Sequence, residues 1–457
     1  MLIVRRLSAI QIALIISLAV LLARSGSAQT VFKTIYSFNG GADGEEPIGV
    51  IVGKNGALFG TTFSGGSSQC TDDTTWTEPC GTIFELAPTG ETWQYHVLFA
   101  FEGIPGGAFP DGPLVSDSSG TLYVTTSKGG RIAYGDGTVF ALSPPADAGG
   151  TWKATVPYIF GMHPSKGGFG PFNPIGGLLL GPKGTLFGVT HYDDYFFTQY
   201  TGGALFELAP PTGPGEDWTE HNLFSFQSSS SPGDIPVGGL IANDSTLYGT
   251  LSQGGTAGCG AVFQATPAGE NPYTVVTLHE FAGAPDGCGP TSALTLGPGG
   301  VLYGTTPNGG IASPPCPSNG CGVVFQLTPP ASSGAAWTEA VIYSFTGVNG
   351  DGAFPTSAVV LGADGALYGT TPGGGSVAAS NPACSVSGLS GCGTAFKLTP
   401  SQPGAAWIET VLYNFTDENG GGAYPGPFLT PTGSGGFYGT TAQGGAAGYG
   451  TVFEIKP

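Results

Sequence analysis

One pattern recurs seven times along this chain. Leu58-Phe59-Gly60-Thr61-Thr62, a Gly65-Gly66 doublet, a loop and Gly81-Thr82-Ile83-Phe84 make the first copy. The first half returns at Leu122, Leu186, Leu247, Leu302, Leu367 and Phe437, the second at Gly137, Gly203, Gly260, Gly322, Gly393 and Gly450. Self-similarity at a spacing of tens of residues, built from short apolar runs and glycine turns, marks a repeat architecture.

One unit, Trp337 to Leu398, contains four strand-like segments. Trp337 to Phe345 is β-rich, with Val341, Tyr343 and Phe345 expected on one face and Ala340, Ile342 and Ser344 on the other. A glycine and proline loop leads to the apolar run Ser357–Gly362, then a turn at Asp364-Gly365 and the Leu367–Thr371 strand. Gly393 to Thr399 is the fourth. No helical periodicity is visible beyond the N-terminal segment. Four short strands per unit, taken seven times, predict an all-β chain, a seven-bladed β-propeller of four-stranded antiparallel blades. We label the strands A (the apolar run), B (Leu-Tyr-Gly-Thr-Thr), C (Gly-Thr-Val-Phe) and D (the segment opened by tryptophan), from the channel outwards.

The two ends of the repeat are out of phase. Thr30 to Phe38 reads as a D strand, and Gly450 to Pro457 as a C strand. The last blade therefore lacks its D strand, and the first residues supply it. Pairing the two closes the ring and leaves no bare edge.

Residues 1–28 read as a signal peptide: Arg5 and Arg6, an apolar run from Ile10 to Ala23, and a small-residue cleavage motif ending at Ala28. The propeller is expected over 29–457. No later stretch is long and apolar enough to span a bilayer as a helix. The reading is a secreted, periplasmic or cell-surface monomer. Eight cysteines in such a chain suggest four disulfides, and the repeat selects among the pairings. Cys80, Cys321 and Cys392 each precede the glycine that opens a C strand and have a partner just upstream, giving Cys70–Cys80, Cys316–Cys321 and Cys384–Cys392. Cys259 has no upstream partner and is left with Cys288, which follows the end of the D strand beside it. A net charge of −19 argues against nucleic acid, whose phosphates call for basic patches.

The Leu-Tyr-Gly-Thr-Thr, Gly-Gly, Gly-Thr-Val-Phe pattern resembles the bacterial GloVer (Gloeobacter–Verrucomicrobia) tandem repeat of exported proteins, over essentially all of residues 30–457. The resemblance supports the repeat fold and implies no particular reaction.

A group repeated in all blades serves the framework, since one site needs one set of groups. By that test the Thr-Thr pairs, the Gly-Gly doublets and Trp93, Trp152, Trp218, Trp337 and Trp407 are packing elements. Departures from the repeat are candidates for function. The B–C loop of blade three holds His191, Tyr192, Asp193, Asp194 and Tyr195, and the D–A loop entering that blade holds His163. Both loops should emerge on one face. His and Asp in such a cluster suit metal or acid–base work, and aromatics beside carboxylates suit carbohydrate. His96, His221 and His279 fall in D strands and read as exposed or core-satisfied. The D–A loops also carry Asp-Gly pairs at Asp43, Asp111, Asp286 and Asp351. Asn349, Asp351 and Asp417, the last with Asn419, offer oxygens of the kind calcium takes, although Asp-Gly is first a turn signal. No cofactor is otherwise implied. The leading expectation is an exported binding or interaction module presenting one face to a glycan or protein. The alternatives are a propeller enzyme, a glycan lyase or hydrolase using the blade-three loops, and a structural cell-envelope protein.

Overall fold

The computed structural model describes residues 30–457, apart from 67–69, 71–78, 131–135, 148, 164–167, 170–171, 193–194, 197–198, 201, 214, 228–232, 270, 333, 377–383, 402–406 and 419. Seven antiparallel sheets form the ring. Blade one orders Glu45–Val52, Leu58–Ser64, Thr82–Thr89 and Thr92–Ala100 from inside to outside, and the other six repeat that order. The described helical elements are four single 3-10 turns, and among the described residues no helix is long and apolar enough to cross a membrane.

The ring closes as the repeat phase requires. Val31–Ser37 lies antiparallel to Thr451–Lys456, from Val31 opposite Lys456 to Ser37 opposite Thr451. All four disulfides join the pairs expected from the repeat, and four disulfides suit an extracellular or periplasmic setting.

Each seam between blades is filled by the repeat's aromatics. The phenylalanine that ends each D strand meets the C-strand phenylalanine of the next blade, as Phe101 meets Phe140 at 4.9 Å between ring centroids and Phe281 meets Phe325 at 5.0 Å. These rings are fully buried, and such edge-to-face pairs add about 0.5–1.5 kcal/mol each beyond their buried area. They also account for the glycine inside strand B. A Cβ at Gly304 would stand 2.4 Å from the Phe325 ring. Further out, the tryptophans pack edge-on against the preceding blade's B strand: Trp152 on Phe59, Trp218 on Tyr123, Trp337 on Tyr248, Trp407 on Tyr303 and Trp93 on Tyr438.

The two threonines of strand B have separate tasks. The second ties its own blade together: Thr371 Oγ1 lies 2.9 Å from Thr394 Oγ1 and donates to the Gly373 carbonyl. The first crosses the seam to an A-strand carbonyl of the next blade. Thr125 donates to Gly176 at 3.0 Å, Thr250 to Ser292 at 3.0 Å, Thr305 to Ser357 at 2.8 Å, Thr370 to Gly426 at 3.0 Å and Thr440 to Ile48 at 3.1 Å. Thr61 reaches Gly112 at 3.5 Å. Blade three has Val189 in this place, so the seam between blades three and four lacks the link.

Two expectations need correction. Strict alternation along strand D fails, because the pairing of C with D slips in every blade; at Val324 and Phe325 the partners are Tyr343 and Val341, leaving Ile342 as a bulge. Bulges of this kind raise local twist, as the outermost strand of a twisted blade requires. Asp111 is not part of a D–A turn. It follows Pro110 of Ala108–Pro110, at the inner edge of blade two.

Candidate functional site

The D–A and B–C loops share one face. In blade three each carries a small ribbon of its own: His163 pairs with Gly168, and Tyr195 pairs with Tyr200. The two ribbons approach within 8 Å between Cα atoms, so the loops converge as expected. His163 and Tyr195 are placed through their backbone, and Asp193 and Asp194 lie outside the described residues.

His191 and Tyr192, at the end of strand B (Leu186–Tyr192), are half-buried. Thr190 fixes this end of the strand: its hydroxyl donates to the Tyr192 carbonyl at 2.9 Å and accepts the Ala204 amide at 3.1 Å. Across the pair, Tyr192 faces Phe172. The rings form a stack, Phe172 on Tyr192 at 4.9 Å and Tyr192 on His191 at 4.4 Å, with interplanar angles of 24° and 7°. Burial pushes the His191 imidazole below its ordinary value, and the Asp234 carboxylate acts in the opposite direction. Asp234 enters from the D–A loop of blade four, where its carbonyl accepts the Gly203 amide at 2.8 Å and its Oδ1 is buried with no hydrogen-bond partner. Sequence reasoning missed it. Asp43, Asp286 and Asp351 stand four residues before the proline or cysteine-flanked proline that opens strand A, whereas Asp234 stands two before Pro236; that offset was the available signal.

The Asp-Gly carboxylates close turns. Asp43 accepts the Asn39 amide, Asp286 the Ala282 amide at 2.9 Å and Asp351 the Thr346 amide at 2.7 Å. Asn349 lines an open hollow of about 550 Å³ beside these loops. The amide of Asp417, in the next D–A loop along the ring, donates to the Gly422 carbonyl at 3.1 Å.

At the centre, a cavity of about 250 Å³ is lined by the inner edges of all seven blades, including Ile48, Asp111, Ile175, Val237, Thr291, Thr356 and Phe428. That is below the usual range for a pocket that encloses a ligand, about 300–1,000 Å³. Asp111 is the one ionisable group among the described lining residues, and burial holds its carboxyl above the ordinary range.

Other seams bring titratable groups together beside their D–A loops. Glu409 is pushed up to about 7 by burial and by the Asp351 charge. Glu339 is raised by burial and by Asp286. His279, expected to be exposed or core-satisfied, lies 3.2 Å from Asp286.

The family model of the Gloeobacter/Verrucomicrobia repeat matches residues 21–195 and 174–381. No curated protein matches the chain. Solved structures similar to it include a gluconolactonase from Xanthomonas campestris (13% identity, TM-score 0.39, 78% of this chain and 90% of that one). A Hadza microbial sialidase is 13% identical, with TM-score 0.41 over 90% of this chain and 65% of that one. A puromycin-hydrolysing peptidase from Mycobacterium tuberculosis is 11% identical, with TM-score 0.47 over 90% of this chain and 52% of that one.

Proposed function

The chain belongs to the Gloeobacter/Verrucomicrobia repeat family, and from that premise we propose that it is an exported binding module that takes a glycan on the blade-three rim of its loop-rich face. The observation that supports this most directly is the Phe172–Tyr192–His191 stack. Flat, half-exposed rings with a carboxylate alongside are complementary to a sugar, which offers C–H faces for stacking and hydroxyls for hydrogen bonds. The central cavity, at about 250 Å³, lies below the usual range for an enclosed ligand site, which favours the rim for binding.

A glycan array followed by titration calorimetry of the best hit tests the reading. Tyr192→Ala should weaken binding up to about tenfold, in line with about 0.5–1.5 kcal/mol for an aromatic contact. Absence of binding to any glycan, or unchanged affinity in Tyr192→Ala, counts against it.

One observation favours the alternative of an enzyme acting on glycans. Asp111 is a buried carboxylic acid raised above its ordinary value, as a general acid needs. Release of reducing ends by the wild type, abolished in Asp111→Asn, would replace the binding reading with this one.

A further inference from the structure

At the seam between blades four and five, His279 from the D strand of blade four (Asn271–Glu280), Asp286 from the D–A loop and Glu339 from the D strand of blade five (Thr338–Ser344) converge. One ligand atom from each lies within 4.8 Å of the other two, and among the described residues this is the one such group of three. We propose that these three side chains form a site for a divalent transition-metal ion, with zinc the ion its donors suit best. Imidazole with two carboxylates is a nitrogen and oxygen set that zinc accepts, whereas calcium asks for six or more oxygens.

Four observations carry the assignment. First, the geometry is nearly closed. Zinc held at about 2.0–2.2 Å from each donor needs donor separations of roughly 3.5 Å, and His279 Nε2 to Asp286 Oδ2 is already 3.2 Å. Second, Glu339 Oε1 is fully buried with no hydrogen-bond partner, an acceptor without a donor in a seam that already holds Asp286.

Third, the sibling seams show what a purely structural version looks like. At four of them a tyrosine occupies the place of His279, and at two of these it meets a loop aspartate. Tyr36 donates to Asp43 Oδ2 at 2.8 Å and stacks on Tyr95 at 4.3 Å, the counterpart of Glu339; Tyr343 stands beside Asp351 and Glu409 in the same way. The tyrosine hydroxyl there reaches the loop carboxylate, while Glu409 Oε1 stays buried without a hydrogen-bond partner as Glu339 Oε1 does. The imidazole occurs at one seam and changes the chemistry from hydrogen-bond donor to metal ligand.

Fourth, the site is held from outside. Asp286 is anchored by the Ala282 and Gly287 amides, and its loop is tied to blade four by Cys259–Cys288. Backbone support of this kind orients ligands and sharpens affinity. Side-chain exposures of 22% for His279 and 20% for Asp286 leave an ion a way in and a water a place to complete the coordination.

The test uses the full-length mature protein, oxidised and stripped with a chelator. Calorimetric titration with zinc chloride should give one ion per chain, and calcium chloride should give no heat. His279→Tyr installs the residue of the sibling seams, so the hydrogen bond to Asp286 survives while the nitrogen ligand is lost. It should bind zinc at least tenfold more weakly, as should Glu339→Gln. Absence of zinc binding in the wild type overturns the proposal, as does wild-type affinity in His279→Tyr. If His279→Tyr does not fold, Glu339→Gln decides alone, and wild-type affinity there overturns it equally.

Discussion

The threonine ring makes a quantitative prediction, because the chain supplies both the rule and its exception. Thr370 is 1% exposed, and its hydroxyl donates across the seam to the Gly426 carbonyl at 3.0 Å. Thr370→Val keeps the shape and removes the donor, leaving a buried carbonyl unsatisfied at a cost of about 1–3 kcal/mol. Val189 is 2% exposed at the equivalent place in blade three. Val189→Thr puts a hydroxyl where the Gly238 carbonyl of blade four lies, close against Gly176. A satisfied bond there should add about 0.5–1.5 kcal/mol. Heat is a poor assay for either change, since the unfolding entropy per residue gives a propeller of this size only about 1 °C per kcal/mol. Urea unfolding followed by fluorescence of the seam tryptophans resolves it: the midpoint should fall for Thr370→Val and rise for Val189→Thr. Amide exchange adds a local readout, with the seam between blades three and four opening first in the wild type and gaining protection in Val189→Thr. A Val189→Thr variant less stable than the wild type, or a neutral Thr370→Val, would refute the assignment of these threonines as seam links.

Glu409 should govern a limb of the pH–stability profile. Its folded-state value of about 7 lies above the ordinary 4.5, so the native state holds the proton more tightly; the stability this gives is complete below pH 4.5 and lost as the pH rises to 7. Glu409→Gln should flatten that limb in urea midpoints and exceed the wild type above pH 7, with Asp351, also raised by burial, leaving a residual slope; an unchanged slope would remove Glu409 as its source. The groove of about 740 Å³ between blades six and seven marks the seam with no aromatic in the tryptophan register: Tyr273 holds that place in blade four, whereas Thr30 stands there in blade seven, beside Tyr368. Thr30→Trp should fill it and add about 0.5–2 kcal/mol of stability, read as a higher urea midpoint; no gain would mean that the groove closes by other means.

What could be read from the sequence was whatever repeats. The D-strand phenylalanines, the tryptophans and the threonine pairs signal structure by recurring, and the phase difference between Thr30 and Gly450 fixes the closure. Position among repeats also selected the disulfides. The D-strand bulges at Ile342 and its counterparts were not legible, because period-two reasoning treats a strand as flat and the outer strand is twisted. Asp111 was placed in the wrong register because Asp-Gly is a local turn signal, whereas the Ala-Phe-Pro before it aligns it with Thr356 of Ala-Phe-Pro-Thr in blade six. The His279 cluster was invisible for a different reason: its members come from two blades and a loop, and only the seam geometry joins them.

The departures from the repeat are not scattered. Val189, which breaks the threonine ring, is two residues from His191, and the seam it loosens is the one across which Asp234 faces that imidazole. Segments that rearrange around a ligand are drawn from the less stable parts of a fold, and a missing seam bond beneath the loop proposed to bind glycan lowers stability locally without exposing apolar surface. On this argument the valine is retained for the loop's sake. Val189→Thr should then gain stability and lose glycan affinity together, the usual exchange between rigidity and function. If the same variant binds as tightly as the wild type while resisting more urea, the loosened seam is incidental and the blade-three rim is a rigid platform.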